Sequence, residues 1–325
     1  FFIFKNAPSK KPTLKIGHID IADHLTLGIS SKRNNNSFQN FNLQTISFEN
    51  WHDLESAFIN NDVDGAFMLA PLAMTIEKKL EKISKKTKVL MLGHRAGSAL
   101  MIKIGKAINN IQDFKGKTIG IPHHHSVHNV LLHKMFTKEN INYKNDIFLK
   151  TLNPKNMPYE LITGNIDAYI VSEPYGAQIE EYEHGKIFIL SKDIWPNHIC
   201  CILLFHDDII KSYPKAIQEL IDSLVQAGIF IEKNPEKASE IGGRFLGQSK
   251  KTIYRALTVP QERIDYSDLV PQNKDFEELQ NYLKDKMGFA NERVDIDLWI
   301  DPSYAKKAYD KLKKNKDKKK YVETK

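Results

Sequence analysis

The residues best equipped for chemistry in this chain are its histidines. Twelve occur in 325 residues, and they cluster. His123-His124-His125-Ser126-Val127-His128 forms one run, His18 and His24 flank a second stretch, and His94 and His198 stand at two further points. His124 and His128 are four apart and His125 and His128 three apart, so either pair can share one helix face. Imidazole suits zinc, copper, nickel or iron, and a carboxylate can complete such a shell. Glu173, Asp20 and Asp23 are the acids in suitable neighbourhoods. Partly protonated at neutral pH, the same histidines would instead bind an oxyanion directly. Residue type alone leaves both chemistries open. His52, His133, His184 and His206 stand apart from these groups and read as loop or core residues.

Other chemistry finds less support. The chain has two cysteines, adjacent at Cys200 and Cys201, which excludes a disulfide framework, a cysteine-based zinc finger and an iron–sulfur site. They lie in the apolar run 199–205, where neighbours on a strand point to opposite faces and a vicinal disulfide would be strained, so packing is expected. No nucleophile–base spacing, phosphate loop or paired-carboxylate motif appears.

Alternating strands and helices position the histidines. Strands are predicted over 14–19, 42–48 and 63–69, with a helix from near Asp23 and another over 51–60, ended by the Asn60-Asn61-Asp62 turn. Pro71 opens a further helix where its missing N–H costs nothing. The same order returns with a strand over 117–121, a helix from near Ser126, a helix closing over 159–163, a Gly164-Asn165 turn, a strand over 166–171 and a helix begun by Pro174. Gly17/Gly120, Asp64/Asp167 and Pro71/Pro174 share an offset of 103, as do Ile16/Ile119, Ile59/Ile162 and Glu77/Glu180. The pattern predicts two α/β lobes of similar topology. Doubly wound sheets bind ligands beyond the strand C-termini. The junctions 18–25, 69–72, 93–98, 122–128 and 171–175 should therefore converge on one cleft, where helix N-termini favour anions.

Composition narrows the class. The 41% hydrophobic and 27% charged fractions, with no apolar run near the roughly 18–20 residues that span a bilayer, exclude a polytopic membrane protein. The net charge of +7 is largely that of the lysine-rich tail 306–325, read as a solvated, frayed helix end or disordered segment, with attraction to an anionic surface as its other use. The absence of a basic recognition helix argues against nucleic acid as a partner. Phe1-Phe2-Ile3-Phe4 followed by Lys5-Asn6-Ala7-Pro8-Ser9-Lys10-Lys11-Pro12 reads as the trailing edge of a signal peptide or membrane anchor and its linker. That predicts an extracytoplasmic protein, periplasmic or at the cell surface.

The stretches Asp64-Gly65-Ala66-Phe67-Met68-Leu69-Ala70-Pro71, Asp113-Phe114-Lys115-Gly116-Lys117-Thr118-Ile119-Gly120, Ser126-Val127-His128 and Glu173-Pro174-Tyr175-Gly176-Ala177 carry a family resemblance. Tyr213-Pro214 and the helical region 220–231 extend it. Over about residues 15–247 the chain resembles the substrate-binding proteins of ABC importers for nitrate, sulfonate, taurine and bicarbonate. That resemblance implies a type II periplasmic-binding fold, with two doubly wound lobes joined by two crossover strands and closing on a hinge. It places an anchor and linker remnant at 1–12, lobe 1 at 13–98 plus 199–305, lobe 2 at 99–198 and the basic tail at 306–325. The implied function is capture of a small anion between the lobes and delivery to a membrane permease driven by an ATPase. The chain would be a non-enzymatic monomer needing no cofactor, with zinc or another divalent metal as a candidate occupant.

The resemblance, with the cleft junctions, nominates His18, His24, Ala70, His94, Ser98, Ser126, His128, Glu173 and His198 as ligand contacts. His18, His124, His125, His128 and Glu173 form the candidate metal set. Ser126 would also serve as a simple N-cap. The chain departs from the family at 123–128, where relatives use a turn rich in glycine and serine and this sequence has histidine. Three other readings compete. A metal-importer binding protein would ordinarily have a more rigid helix between its lobes. A synthase of the thiamine-pyrimidine type would need a longer cysteine run than Cys200-Cys201. A transcription-factor effector domain would need a helix-turn-helix before residue 13, where the Phe-rich segment stands.

Overall fold

In the computed structural model the described residues are 11–289 and 293–323, with side chains as far as 314. The apolar start expected to be an anchor lies in 1–10, outside them. The strands are β1 (Thr13–His18), β2 (Asn42–Ser47), β3 (Gly65–Leu69), β4 (Thr87–Leu92), β5 (Arg95–Ala96), β6 (Ser98–Lys103), β7 (Lys117–Ile121), β8 (Ile147–Thr151), β9 (Ala168–Ser172), β10 (Gly185–Leu190), β11 (Cys201–His206) and β12 (Ile264–Asp265).

Two five-stranded sheets result, ordered β2-β1-β3-β11-β4 and β10-β6-β9-β7-β8. In the first, β1 runs parallel to β2 and β3, while β11 is antiparallel to β3 and β4. In the second, β7 runs parallel to β8 and β9, while β6 is antiparallel to β9 and β10. One plan thus builds both sheets, with β1/β7, β2/β8, β3/β9, β11/β6 and β4/β10 as counterparts. The repeat at an offset of 103 is the sequence trace of that plan. Each antiparallel strand enters from the other half of the chain: β6 follows β4 into the second sheet, and β11 follows β10 back into the first. β5 pairs with β12, and a bridge joins Arg95 to Ile199, so the two crossings lie side by side.

Local chemistry explains the elements. All five residues of β3 are buried, as a central strand covered on both faces requires, and the helix Ala70–Glu81 follows at once with Pro71 in its first turn. The helix Pro214–Lys233 buries Ile217, Leu220, Ile221 and Leu224, residues at helical spacing that share a core with Phe67, Leu203 and Phe205 of the first sheet. Each such side chain contributes roughly 1.5–3 kcal/mol by burial. The lysine-rich tail continues the helix Ser303–Glu323. No helix among the described residues is long and apolar enough to cross a membrane.

The strand ends of the two sheets touch. Ala22 N–H donates to Glu173 O at 2.7 Å, and the Tyr175 hydroxyl donates to Asp20 O at 3.0 Å. The Tyr266 hydroxyl donates to Ala22 O at 2.6 Å. These contacts pack together the junctions that carry the histidines into one buried cluster, called the chamber below.

Candidate functional site

The first wall of the chamber is the short 3-10 turn Ala22–His24 after β1, which carries the fully buried Asp23. Asp23 Oδ1 accepts the Cys201 N–H at 3.2 Å. Its Oδ2 lies 3.0 Å from His94 Nε2, yet neither atom has a hydrogen-bond partner, because the ring is not aligned for one. Burial by itself would raise the Asp23 carboxyl, but His94, His24 and Ser172 outweigh it and hold Asp23 well below the carboxylate range.

His94 follows β4 and is fully buried, with both ring nitrogens unpartnered. Its ring rests on Gly97, where an added Cβ would come 2.3 Å from His94 Cε1 and where φ is +81°. Only glycine satisfies both demands, the left-handed backbone and the space for the ring. The edge of the Tyr266 ring supports the other side at 5.4 Å between centroids.

The second wall belongs to the second sheet. Ser98 opens β6, Ser172 closes β9, and His128 lies in the first turn of the helix Val127–Lys138. His128 Nε2 is 3.0 Å from Ser98 Oγ and 3.4 Å from Ser172 Oγ, and its Nδ1 is buried without a partner. His198, on the return crossing, has Nδ1 2.7 Å from Trp195 O. A carbonyl can only accept, so Nδ1 carries the proton and the buried, unpartnered Nε2 presents a lone pair. An imidazole fixed by a backbone carbonyl through one nitrogen and bare at the other is the arrangement that orients metal ligands.

Burial lowers His128 to about 3 and His198 to about 4, so both are neutral at physiological pH. Among the described residues the buried cations are Arg95 and Arg263, and both are paired. Arg95 Nη2 donates to Asp275 at 2.7 Å. Arg263 Nε donates to Glu173 Oε1 at 2.8 Å, its Nη2 forms a 2.5 Å ion pair with the same oxygen, and Nη1 donates to Glu180 at 2.8 Å. Asp23 thus lies near His128 and His198, both neutral, with His94 Nε2 3.0 Å from its Oδ2. Two ligand atoms of one tetrahedral zinc lie about 3.3 Å apart when each bond is about 2.0 Å. The unaligned 3.0 Å contact between Asp23 and His94 has close to that spacing.

The residues nominated from sequence divide. His94, Ser98, His128 and His198 meet around Asp23, each electrostatically coupled to it or hydrogen-bonded to a residue that is. His24 adjoins them, with Nδ1 2.8 Å from Ile19 O and Nε2 unpartnered, its ring against Phe67 at 5.0 Å. The other nominees are engaged elsewhere. His18 stacks on Phe245 at 4.6 Å, with Nδ1 3.6 Å from Asp20. Ser126 is the N-cap of its helix, accepting the Asn129 N–H at 3.2 Å, and Ala70 donates its N–H to Cys200 O at 3.0 Å. Glu173 is consumed by Arg263 and by the Ala177 N–H at 2.8 Å.

The structure does not gather His18, His124, His125, His128 and Glu173 into one shell. His124 is exposed, and His125 lies beside Phe289 at 5.5 Å between rings. His123 and His125 are half-buried and stand apart from Asp23, and of the histidines at 123–128 only His128 lies near it. The sequence-based nominations omitted Ser172 and Arg263. Ser172 ends an otherwise apolar strand, a readable cue. Arg263 sits 90 residues from its partner Glu173, with no local signal.

Comparison with known proteins fits this architecture. The profile of the NMT1-like family matches residues 7–244. The chain belongs to the NMT1-like family. Among solved structures, this NMT1-like chain is similar to the ligand-binding component of an ABC-type import system from Staphylococcus aureus with zinc bound. The two share 25% identity and a TM-score of 0.81, over 92% of this chain and 99% of that one. It also shares its fold with the periplasmic nitrate-binding protein NrtA from Synechocystis PCC 6803, at 15% identity and a TM-score of 0.80, over 94% of this chain and 90% of that one. In sequence it is 26% identical over 235 residues to the nitrate import ATP-binding protein NrtC of Synechocystis, covering 67% of this chain and 35% of that protein. The chain spans little more than a third of the length of the first curated relatives it matches. The α/β fold expected from the sequence is therefore that of periplasmic binding proteins.

Proposed function

We propose that this chain is the solute-binding component of an ABC-type importer, working outside the cytoplasm, and that its cargo is a divalent transition-metal ion, free or in a small complex. The observation that carries the metal is the fully buried Asp23 Oδ2, 3.0 Å from His94 Nε2 and outside a hydrogen bond, with unpartnered His128 Nδ1 and His198 Nε2 in the same buried region. Leaving such groups without partners in a dry interior costs on the order of 1–3 kcal/mol each, and an ion bound by Asp23 Oδ2 and one nitrogen of His94 would remove part of that cost. The relative solved with zinc supports the same choice.

The importer reading rests on the family, on the fold and on relatives named for nitrate and bicarbonate import. Delivery would be to a membrane permease driven by an ATPase. Cargo that contacts both sheets favours the closed arrangement, because only the closed state assembles all its ligands. Binding, rather than catalysis, is the role, in keeping with the similar structures named as binding proteins.

A small oxyanion is the second reading. Ser98 and Ser172 offer hydroxyl donors in the chamber, and several sequence relatives are named for anion import. Against it, an anion would lie beside Asp23 with no unpaired buried cation among the described residues. Native mass spectrometry of the purified chain, before and after chelator, separates the two. A chelator-labile mass equal to one zinc-class ion supports the metal; a retained small anion without metal overturns it.

A further inference from the structure

The two cysteines sit where a soft ligand would decide which ion is taken. Cys200 and Cys201 are free and fully buried. Their Sγ atoms and a carboxylate oxygen of Asp23 all lie within 4.8 Å of one another. Cys200 Sγ is also 3.6 Å from Ser172 Oγ, which is 3.4 Å from His128 Nε2. Cys200 therefore lies near the Asp23 carboxylate of the first wall and the Ser172 hydroxyl of the second. Cys201 has another part: its N–H holds Asp23 Oδ1, leaving Oδ2 toward His94. A backbone donor that fixes one oxygen of a carboxylate while the other stays bare is how ligating carboxylates are oriented.

Packing accounts for a buried thiol among apolar neighbours. Cys200 instead has a carboxylate, a second thiol and a hydroxyl around it, as a ligand would. Sulfur and oxygen atoms bound to one zinc lie about 3.5 Å apart, given bonds of about 2.3 and 2.0 Å.

Resting on the metal cargo proposed above, we infer that Cys200 is a ligand of the ion held by Asp23. The site then accepts a thiophilic ion of the zinc class and rejects magnesium, calcium and manganese. On binding, the Cys200 S–H bond breaks, its proton passes to solvent and a sulfur–metal bond forms; no electron is transferred. Hard cations lose in this exchange because thiolate favours soft ions.

Cobalt(II) supplies the test, since a thiolate bound to it gives an intense near-ultraviolet charge-transfer band that nitrogen and oxygen ligands do not. The full chain, stripped with chelator and reloaded with one equivalent of cobalt, should show that band. Cys200→Ser should abolish it and weaken zinc by at least about tenfold. Cobalt bound by the unaltered chain without the band overturns the role of Cys200 and leaves the metal-importer reading standing. A band that survives in Cys200→Ser does the same. Failure of the unaltered chain to bind zinc or cobalt overturns both. The measurement on the unaltered chain needs no variant, so a folding defect in Cys200→Ser does not blunt it.

Discussion

Asp23 is a fully buried carboxylate with one oxygen outside any hydrogen bond. Such a group is expensive unless something positive completes it. Replacing it with the isosteric asparagine removes the charge and keeps the shape. Asp23→Asn should lower zinc affinity at least about tenfold in competition with a chromophoric chelator. Unchanged affinity would remove Asp23 from the site.

The buried histidines make a second prediction. Burial lowers His24 and His128 to about 3 and His198 to about 4, from 6.5 in an unfolded chain. Between those values the unfolded chain binds more protons than the folded one. Their stabilisation is thus complete above about 6.5 and is lost as pH falls toward 3–4, at up to about 1.4 kcal/mol per pH unit for each. Thermal unfolding of the metal-free chain should show a midpoint that drops steadily from pH 7 to pH 5. A flat midpoint would mean that these rings are not held neutral. At this scale the sequence was half legible. Junction positions nominate His94, His128 and His198, which lie near Asp23; in the run at 123–125 His124 is exposed and His123 and His125 are half-buried, ahead of the N-cap Ser126. Cys200 read as packing, since a strand's alternation does not disclose a carboxylate arriving from another loop.

At the scale of elements, the chamber depends on two crossings and one latch. The crossings bring Gly93 to Ser98 and Trp195 to Cys201 together, and these stretches carry His94, His198 and Cys200. The latch is Arg263, which precedes β12 and binds Glu173 at the end of β9. Removing the guanidinium would strand two carboxylates, one of them fully buried. Arg263→Met should therefore cost about 3–5 kcal/mol of unfolding free energy in denaturant titration, and adding Glu173→Gln should restore much of it. A loss under about 1 kcal/mol would show that the pair is dispensable. Strand–turn–helix order was the most legible level: the strand predicted over 117–121 coincides with β7, and 42–48 and 63–69 differ from β2 and β3 by one or two residues. The latch was illegible because its partners are distant in sequence and come from different parts of the fold.

At the scale of the whole molecule, two sheets built on one plan meet at their strand ends, and the chamber exists only while they touch. Each wall supplies part of the donor set: Asp23 and His94 from the first sheet's junctions, Ser98, His128 and Ser172 from the second. The repeat at an offset of 103 forecast the paired sheets. It could not forecast the charge of their contents, which depends on Arg263 being neutralised by Glu173 and Glu180. The expected anion cleft becomes, on this account, a cation chamber. Calorimetric titration of the chelator-stripped full chain with zinc, nitrate and bicarbonate in turn tests that claim most directly. The account predicts saturable binding of one zinc per chain and no heat of binding from either anion without metal. Saturable nitrate or bicarbonate binding to the metal-free chain, with no uptake of zinc, would contradict it.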